Sequence, residues 1–292
     1  MLRGTEDEPG GLTLHRIWQF GFPFLLFLIV RQITVDILMV LFGVPESIFA
    51  KIGLQTYDAV GQVSGLTGNG MAICQIAGFL TALLVIRKKA VFLVKRAADE
   101  TWLLHIRKES KKGYIYLGIA TLTSMIGLNL LLELSGVIAS SESYQNVAEK
   151  QYLPGLWLGL LLYAVAAPLA EEVLFRGIIY NSLRLAVKPG LAAVTAAVFF
   201  GIYHGNFVQG LYGFLMGLLM IYGYEYFGKF RIPILMHVGI NTVTYLITYA
   251  TKSGRLTVSL SGLGVYSWPV CLGALGVSGL LLYRMHRSKR VF

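Results

Sequence analysis

A chain of 292 residues with 55% hydrophobic and 14% charged residues and a mean hydropathy of +0.65 belongs to neither the soluble globular nor the disordered class. Its net charge of +10 does not call for nucleic acid, because Lys and Arg cluster between apolar runs and at the C-terminus, where the positive-inside rule puts them. Cys74 and Cys271 stand alone in apolar surroundings without CxxC spacing, so they support neither a zinc thiolate site nor a disulfide framework.

Glu6, Asp7 and Glu8 precede an apolar run too long for a signal peptide, which is read as a retained first span. Eight apolar segments follow the chain: His15 to Phe42, Val60 to Ile86, Tyr114 to Ile138, Leu153 to Ile179, Leu191 to His204, Phe207 to Phe227, Ile232 to Tyr249 and Tyr266 to Tyr283. The expected fold is therefore all-α, a polytopic membrane helical bundle of about eight transmembrane helices forming one domain over 1–292. The fifth segment is short, the fourth is long, and Pro168 is expected to kink the fourth.

The connection 87–112 carries nine basic residues and the tail from Arg284 to Arg290 four, whereas 139–152 has only Lys150 against Glu142 and Glu149. Both termini and the basic loop 87–112 are therefore expected to be cytoplasmic. Within that loop Ala90 to Val94 and Trp102 to Leu104 alternate with basic clusters, which suggests an interfacial helix on anionic headgroups or a plain topology signal. In the first span Gln32 and Asp36 are one turn apart, as are Asn129 and Glu133 in the third, and both read as interior hydrogen-bonded pairs. Gly155-xxx-Gly159 and Gly213-xxx-Gly217 permit close helix approach.

The core of the chain, 153–249, holds its chemistry. Glu171, Glu172 and Arg176 lie inside an apolar segment, where each charge costs about 2.5 to 3.5 kcal/mol and is by default partnered and functional. Glu172 and Arg176 are four apart on one helix face, while Glu171 is rotated by about 100° and needs a partner from another helix. His15, His105 and His286 lie beside basic residues at segment ends; His204 and His237 lie in apolar runs and are the natural partners. Phe200 and His204 share a helix face, as do His237 and Asn241. Packing of these segments would gather a carboxylate, two imidazoles and a carboxamide in a low-dielectric pocket. That set suits amide hydrolysis: a carboxylate and an imidazole hold water and take its proton, and Asn241 with His237 donates to the oxyanion. No serine or cysteine is placed as a nucleophile, and HExxH is absent.

Glu171-Glu172-xxx-Arg176, Phe200-xxx-His204 and His237-xxx-Asn241, in that order on successive spans, resemble the EExxxR, FxxxH and HxxxN motifs of the CAAX-protease and bacteriocin-processing (CPBP or Abi) family, which includes the type II CAAX prenyl endopeptidases. The resemblance implies an intramembrane endopeptidase acting on membrane-associated or prenylated CAAX-type substrates. In it Glu171 with His204 activates water, His237 and Asn241 stabilise the oxyanion, and Glu172, Arg176 and Phe200 support them. Members have been called metalloproteases, and Glu171, His204 and His237 could bind zinc, although the resemblance favours direct activation by glutamate. The implied partners are membrane lipids and a membrane-associated peptide or protein. The alternatives are a non-proteolytic scaffold on the same fold and a proton channel or transporter, the latter disfavoured by the lack of repeats.

Counting 1.5 Å per residue puts His204 about 20 Å and His237 about 8 Å from the same end of their segments. Extension of the fourth and fifth helices into the cytosol is expected to resolve the mismatch, with the site in the cytoplasmic half.

Overall fold

The computed structural model describes residues 13–41, 68–99, 111–252 and 264–288, and among them there is helix and no strand. Glu6 to Glu8, the start of the second segment, Trp102 to Leu104, His105 and the end of the basic tail lie outside the described residues. We label the main helices α1 (Leu14–Leu41), α2 (Gly68–Asp99), α3 (Lys111–Leu134), α4 (Glu142–Gln151), α5 (Leu156–Arg184), α6 (Pro189–Tyr203), α7 (Phe207–Phe227), α8 (Arg231–Lys252) and α9 (Ser267–Ser288). Seven of them, all but α4 and α6, are long and apolar enough to cross a membrane. The chain is an integral, multi-pass membrane protein built as a helical bundle. The short fifth segment is α6, whose 15 residues reach about 22 Å.

Helix α5 is the axis of the bundle: 67% of its most apolar window is buried, against 11% for α1. It is not one regular helix. Leu160–Ala166 and Val173–Tyr180 are wound as π-helix around the α-helical Ala167–Glu172. Pro168 follows the first π stretch, so the interruption expected of it appears as a widened turn. The Ala167 N–H bonds to the Leu162 carbonyl, and Pro168 has no N–H, so neither of these two successive residues caps the Tyr163 carbonyl.

The hairpin that follows is set by its caps. Pro189 opens α6, Gly205 at φ 72° turns the chain, and the Asn206 side chain accepts from the Gln209 N–H at 2.9 Å to start α7. Gly228, at φ 62°, closes α7.

Several expectations change. The second helix runs on to Asp99, and Ala90, Leu93 and Ala97 are buried, with Ala90 against Gly177 of α5. The Ala90 to Val94 stretch is thus packed on the bundle and does not form a separate interfacial helix. Gln32 does donate to Asp36 at 2.8 Å, but both are exposed, because the buried face of α1 is the one carrying Phe20, Phe27 and Val35. Asn129 bonds back to the Met125 carbonyl at 2.8 Å instead of to Glu133.

At Gly155, Gly159, Gly213 and Gly217 the space a Cβ would fill is bounded by side chains of neighbouring elements and not by their backbone. A Cβ at Gly159 would overlap the hydroxyl of Tyr245, a buried ring packed between Tyr152 and Tyr163. Gly159→Ala is expected to destabilise the protein by about 1 to 3 kcal/mol, as overpacking does, and to cost much less when added to Tyr245→Ala, which removes the ring as well as the hydroxyl. Thermal melts in detergent check this; an equal cost of Gly159→Ala with and without the Tyr245 ring would place the strain elsewhere.

Candidate active site

Helix α5 supplies two acids with different surroundings. Glu172 is fully buried, and its Oε1 lies 2.7 Å from Arg176 Nη1, one turn on, as the i, i+4 spacing predicts. The same oxygen is 2.8 Å from His237 Nδ1. Arg176, 1% exposed, donates its Nη2 to the Gly217 carbonyl at 3.3 Å and stacks 4.3 Å from the Phe200 ring centre. Arg176, Glu172 and His237 thus form one buried chain. The link from Glu172 to His237 was not read from the sequence.

Glu171 is 8% exposed and has no short ionic contact; His237 Nε2 stands 3.9 Å from its Oε2. The expectation that Glu171 looks to the histidines holds for direction, but the short bond to His237 belongs to Glu172.

His204 is the C-cap of α6, and its Nδ1 lies 2.7 Å from the Phe200 carbonyl. A carbonyl only accepts, so Nδ1 carries the proton and Nε2 is left for the cavity. The bond folds the ring back over the last turn of α6. The Phe200 ring centre is then 4.8 Å from that of His204 and 5.7 Å from that of His237, both edge-on. This fold-back draws the His204 ring in over Phe200, but it spans less than one helical turn, about 5 Å, and so is smaller than the difference in depth counted from the two segments. Gly213 and Gly217 make it possible, since a Cβ there would press on His204, Phe200 and Arg176.

Asn241, one turn after His237 in α8, donates its Nδ2 to the Tyr163 carbonyl at 2.9 Å. This is the carbonyl that the π turn and Pro168 leave uncapped, so a backbone irregularity in α5 orients the carboxamide. Pro168 was the available sequence signal, because its missing N–H frees an acceptor upstream.

Glu171, Phe200, His204, His237 and Asn241 line one cavity of about 980 Å³. Away from them it runs to Lys150, Tyr152 and Leu153, next to the start of α5. The opposite end of α5 is packed shut by Tyr180, Asn181, Leu183 and Arg184, the last paired with Glu225 at 2.9 Å. That shut end adjoins Arg96 and Arg16. The cavity therefore leads away from the end of α5 that adjoins Arg96 and Arg16.

Among the described residues no group of three His, Cys, Asp or Glu side chains could hold a metal ion. Glu171, His204 and His237 do not form such a group as arranged; Nδ1 of each imidazole is engaged, by Phe200 and by Glu172, which leaves Nε2 of each toward the cavity. His15 bonds Gln19 at the exposed start of α1, and His286 is exposed in α9, so neither joins the site.

A family model described as Type II CAAX prenyl endopeptidase Rce1-like matches residues 153–243. A curated protein of Bacillus subtilis (strain 168), named "Putative membrane peptidase YdiL", is 22% identical over 188 residues, or 61% of this chain and 72% of that protein. No solved structure matches. The resemblance read from the motifs is borne out: the stretch that gathers Glu171, His204, His237 and Asn241 is the stretch similar to the type II CAAX prenyl endopeptidases.

Proposed function

We propose that the protein is an intramembrane endopeptidase that hydrolyses a peptide bond of a membrane-associated substrate with water activated by Glu171. The observation that carries this is the gathering of one carboxylate whose nearest ionic neighbour is 3.9 Å away, two imidazoles held from behind at Nδ1 and one oriented carboxamide around a single cavity.

Each step follows from an available atom. Water sits between Glu171 and Nε2 of His204, and Glu171 takes its proton as the oxygen attacks the scissile carbonyl carbon. The negative charge moves to the carbonyl oxygen. Asn241 spends one amide hydrogen on Tyr163 and has the other for that oxyanion. With Nδ1–H committed to Glu172, His237 is held with Nε2 toward the cavity, beside the reacting carbonyl. Removing one such oxyanion donor typically costs about 100- to 1000-fold in rate. Collapse breaks the C–N bond, and the leaving amine takes the proton held by Glu171.

Prenylated CAAX peptides are one substrate class consistent with the family match. Small peptides and membrane proteins are another. The test is cleavage of a quenched fluorescent prenylated CAAX peptide, beside an unprenylated apolar peptide, by purified protein with and without a zinc chelator. Cleavage of either supports the reading; cleavage that the chelator stops would overturn activation by glutamate alone. Failure with both, together with an unchanged cellular peptide pool in a Glu171→Ala strain, would favour a scaffold.

The orientation belongs to the same reading. With α6 counted as a crossing the chain crosses eight times, and the basic residues put both termini in the cytoplasm. The cavity then opens on the other side of the membrane, which favours substrates presented there. Cysteine placed at Lys150 is expected to react with a membrane-impermeant thiol reagent in intact cells, Cys74 and Cys271 being buried. Labelling only after the membrane is broken would reverse the topology.

A further inference from the structure

Arg31 is an unexplained cation in this cavity. It lies within α1, with ten more helical residues up to and including Leu41, so it does not stand at a helix end from which it could reach water. A cation at such a position is expensive and by default functional. Among the described residues no carboxylate pairs with it. It is instead held in place by neutral groups: Nη2 donates to Gln75 Oε1 at 2.7 Å, and the guanidinium stacks 4.4 Å from the Phe79 ring centre. Its buried Nε has no hydrogen-bond partner. A guanidinium held on a cavity wall, with Nη1 making no hydrogen bond among the described residues, is the usual receptor for a planar oxyanion.

Its depth can be counted. Gly155 bonds Asn69 and Gly177 meets Ala90, so α2 and α5 run parallel, with Gln75 and Phe79 level with about Leu162 to Ala166. Arg31 therefore sits five to nine residues before the level of Glu171, or about 8 to 13 Å toward the Lys150 end. An extended peptide covers about 3.3 to 3.6 Å per residue. A chain whose scissile bond lies at Glu171 would bring a group three or so residues downstream to the guanidinium. Leu28, Phe79 and Leu162 supply apolar lining along this stretch.

We propose that Arg31 receives the free C-terminal carboxylate of the substrate and so fixes how many residues lie beyond the cleaved bond. This rests on the proposed peptidase reading for its substrate, but its test does not need cleavage. The probe is a short fluorescein-labelled prenylated peptide with a free C-terminal carboxylate, compared with its C-terminal amide, bound by full-length protein in neutral detergent and followed by anisotropy. Wild type is expected to bind the acid about 10- to 100-fold tighter than the amide, the range of one charge-assisted hydrogen bond. Arg31→Gln should reduce that ratio to near one without weakening the amide, and Arg31→Lys should keep part of it. Where Arg31→Gln fails to fold, Gln75→Leu, which frees the guanidinium, is read in its place and should lower the ratio.

Equal binding of acid and amide by wild type, a ratio unchanged in Arg31→Gln, or no binding of either peptide would each overturn the assignment. Added phosphatidylglycerol that abolishes the acid preference in wild type at trace amounts would assign Arg31 to a lipid headgroup instead. Acid preference lost in Arg31→Gln without any cleavage by wild type would keep the carboxylate site and remove the peptidase.

Discussion

Glu171→Gln is expected to lower kcat for a cleaved peptide by about 100- to 10,000-fold, the range a positioned general base supplies, while thermal stability stays level or rises. Glutamine has the shape of the glutamate and cannot take a proton from water. The stability half of the prediction comes from the surroundings. Glu171 is 8% exposed, and its nearest ionic neighbour, His237 Nε2, is 3.9 Å away, beyond a hydrogen bond. A carboxylate removed from water without a short donor costs folding free energy, and a neutral amide costs less. Sites kept for reaction often show this trade of stability for activity. Rates with the quenched peptide and heat unfolding in detergent check the two halves together. Cleavage within tenfold of wild type would remove Glu171 as the base, and a loss of several degrees in Tm would make it a structural residue.

What the sequence could and could not yield follows from what spacing encodes. Apolar runs of sufficient length mark spans, so the bundle was legible, including the shortness of the segment that became α6. Four-residue spacing tells which side chains share a face, and it correctly paired Glu172 with Arg176 and Phe200 with His204. It does not tell which helix that face meets. Gln32 and Asp36 therefore bond as expected but on the exposed side of α1, and Glu172 gains His237 as a second partner. Depth counting along straight helices likewise missed the fold-back of His204 onto the Phe200 carbonyl. Asn241 is the instructive case. Its motif was visible, but its orientation depends on Tyr163, whose carbonyl is available because Ala167 bonds one residue further back and Pro168 has nothing to donate.

The largest expected loss of stability is at Glu172, and it can be separated from the accompanying loss of activity. Glu172→Ala leaves the Arg176 guanidinium, 1% exposed, with only the Gly217 carbonyl at 3.3 Å and the Phe200 face. Stranding one partner of a buried pair costs about 3 to 5 kcal/mol, whereas replacing both by apolar groups is often neutral. The single variant is therefore expected to unfold well below Glu171→Ala, and Glu172→Ala with Arg176→Met to regain most of the loss. Activity should not follow stability. In both variants His237 has lost the acceptor that holds Nδ1, so its ring is no longer fixed with Nε2 toward the substrate, and displacement of a reacting group by about 1 Å can cost about 100-fold. The double variant should be folded and poorly active, with kcat lowered more than KM changes. Glu172→Gln, which keeps an oxygen for Nδ1–H while losing the charge, should be intermediate in both respects. A double variant as active as wild type would show that His237 needs no tether, and a single variant as stable as Glu171→Ala would show that Arg176 finds water or another partner within the bundle.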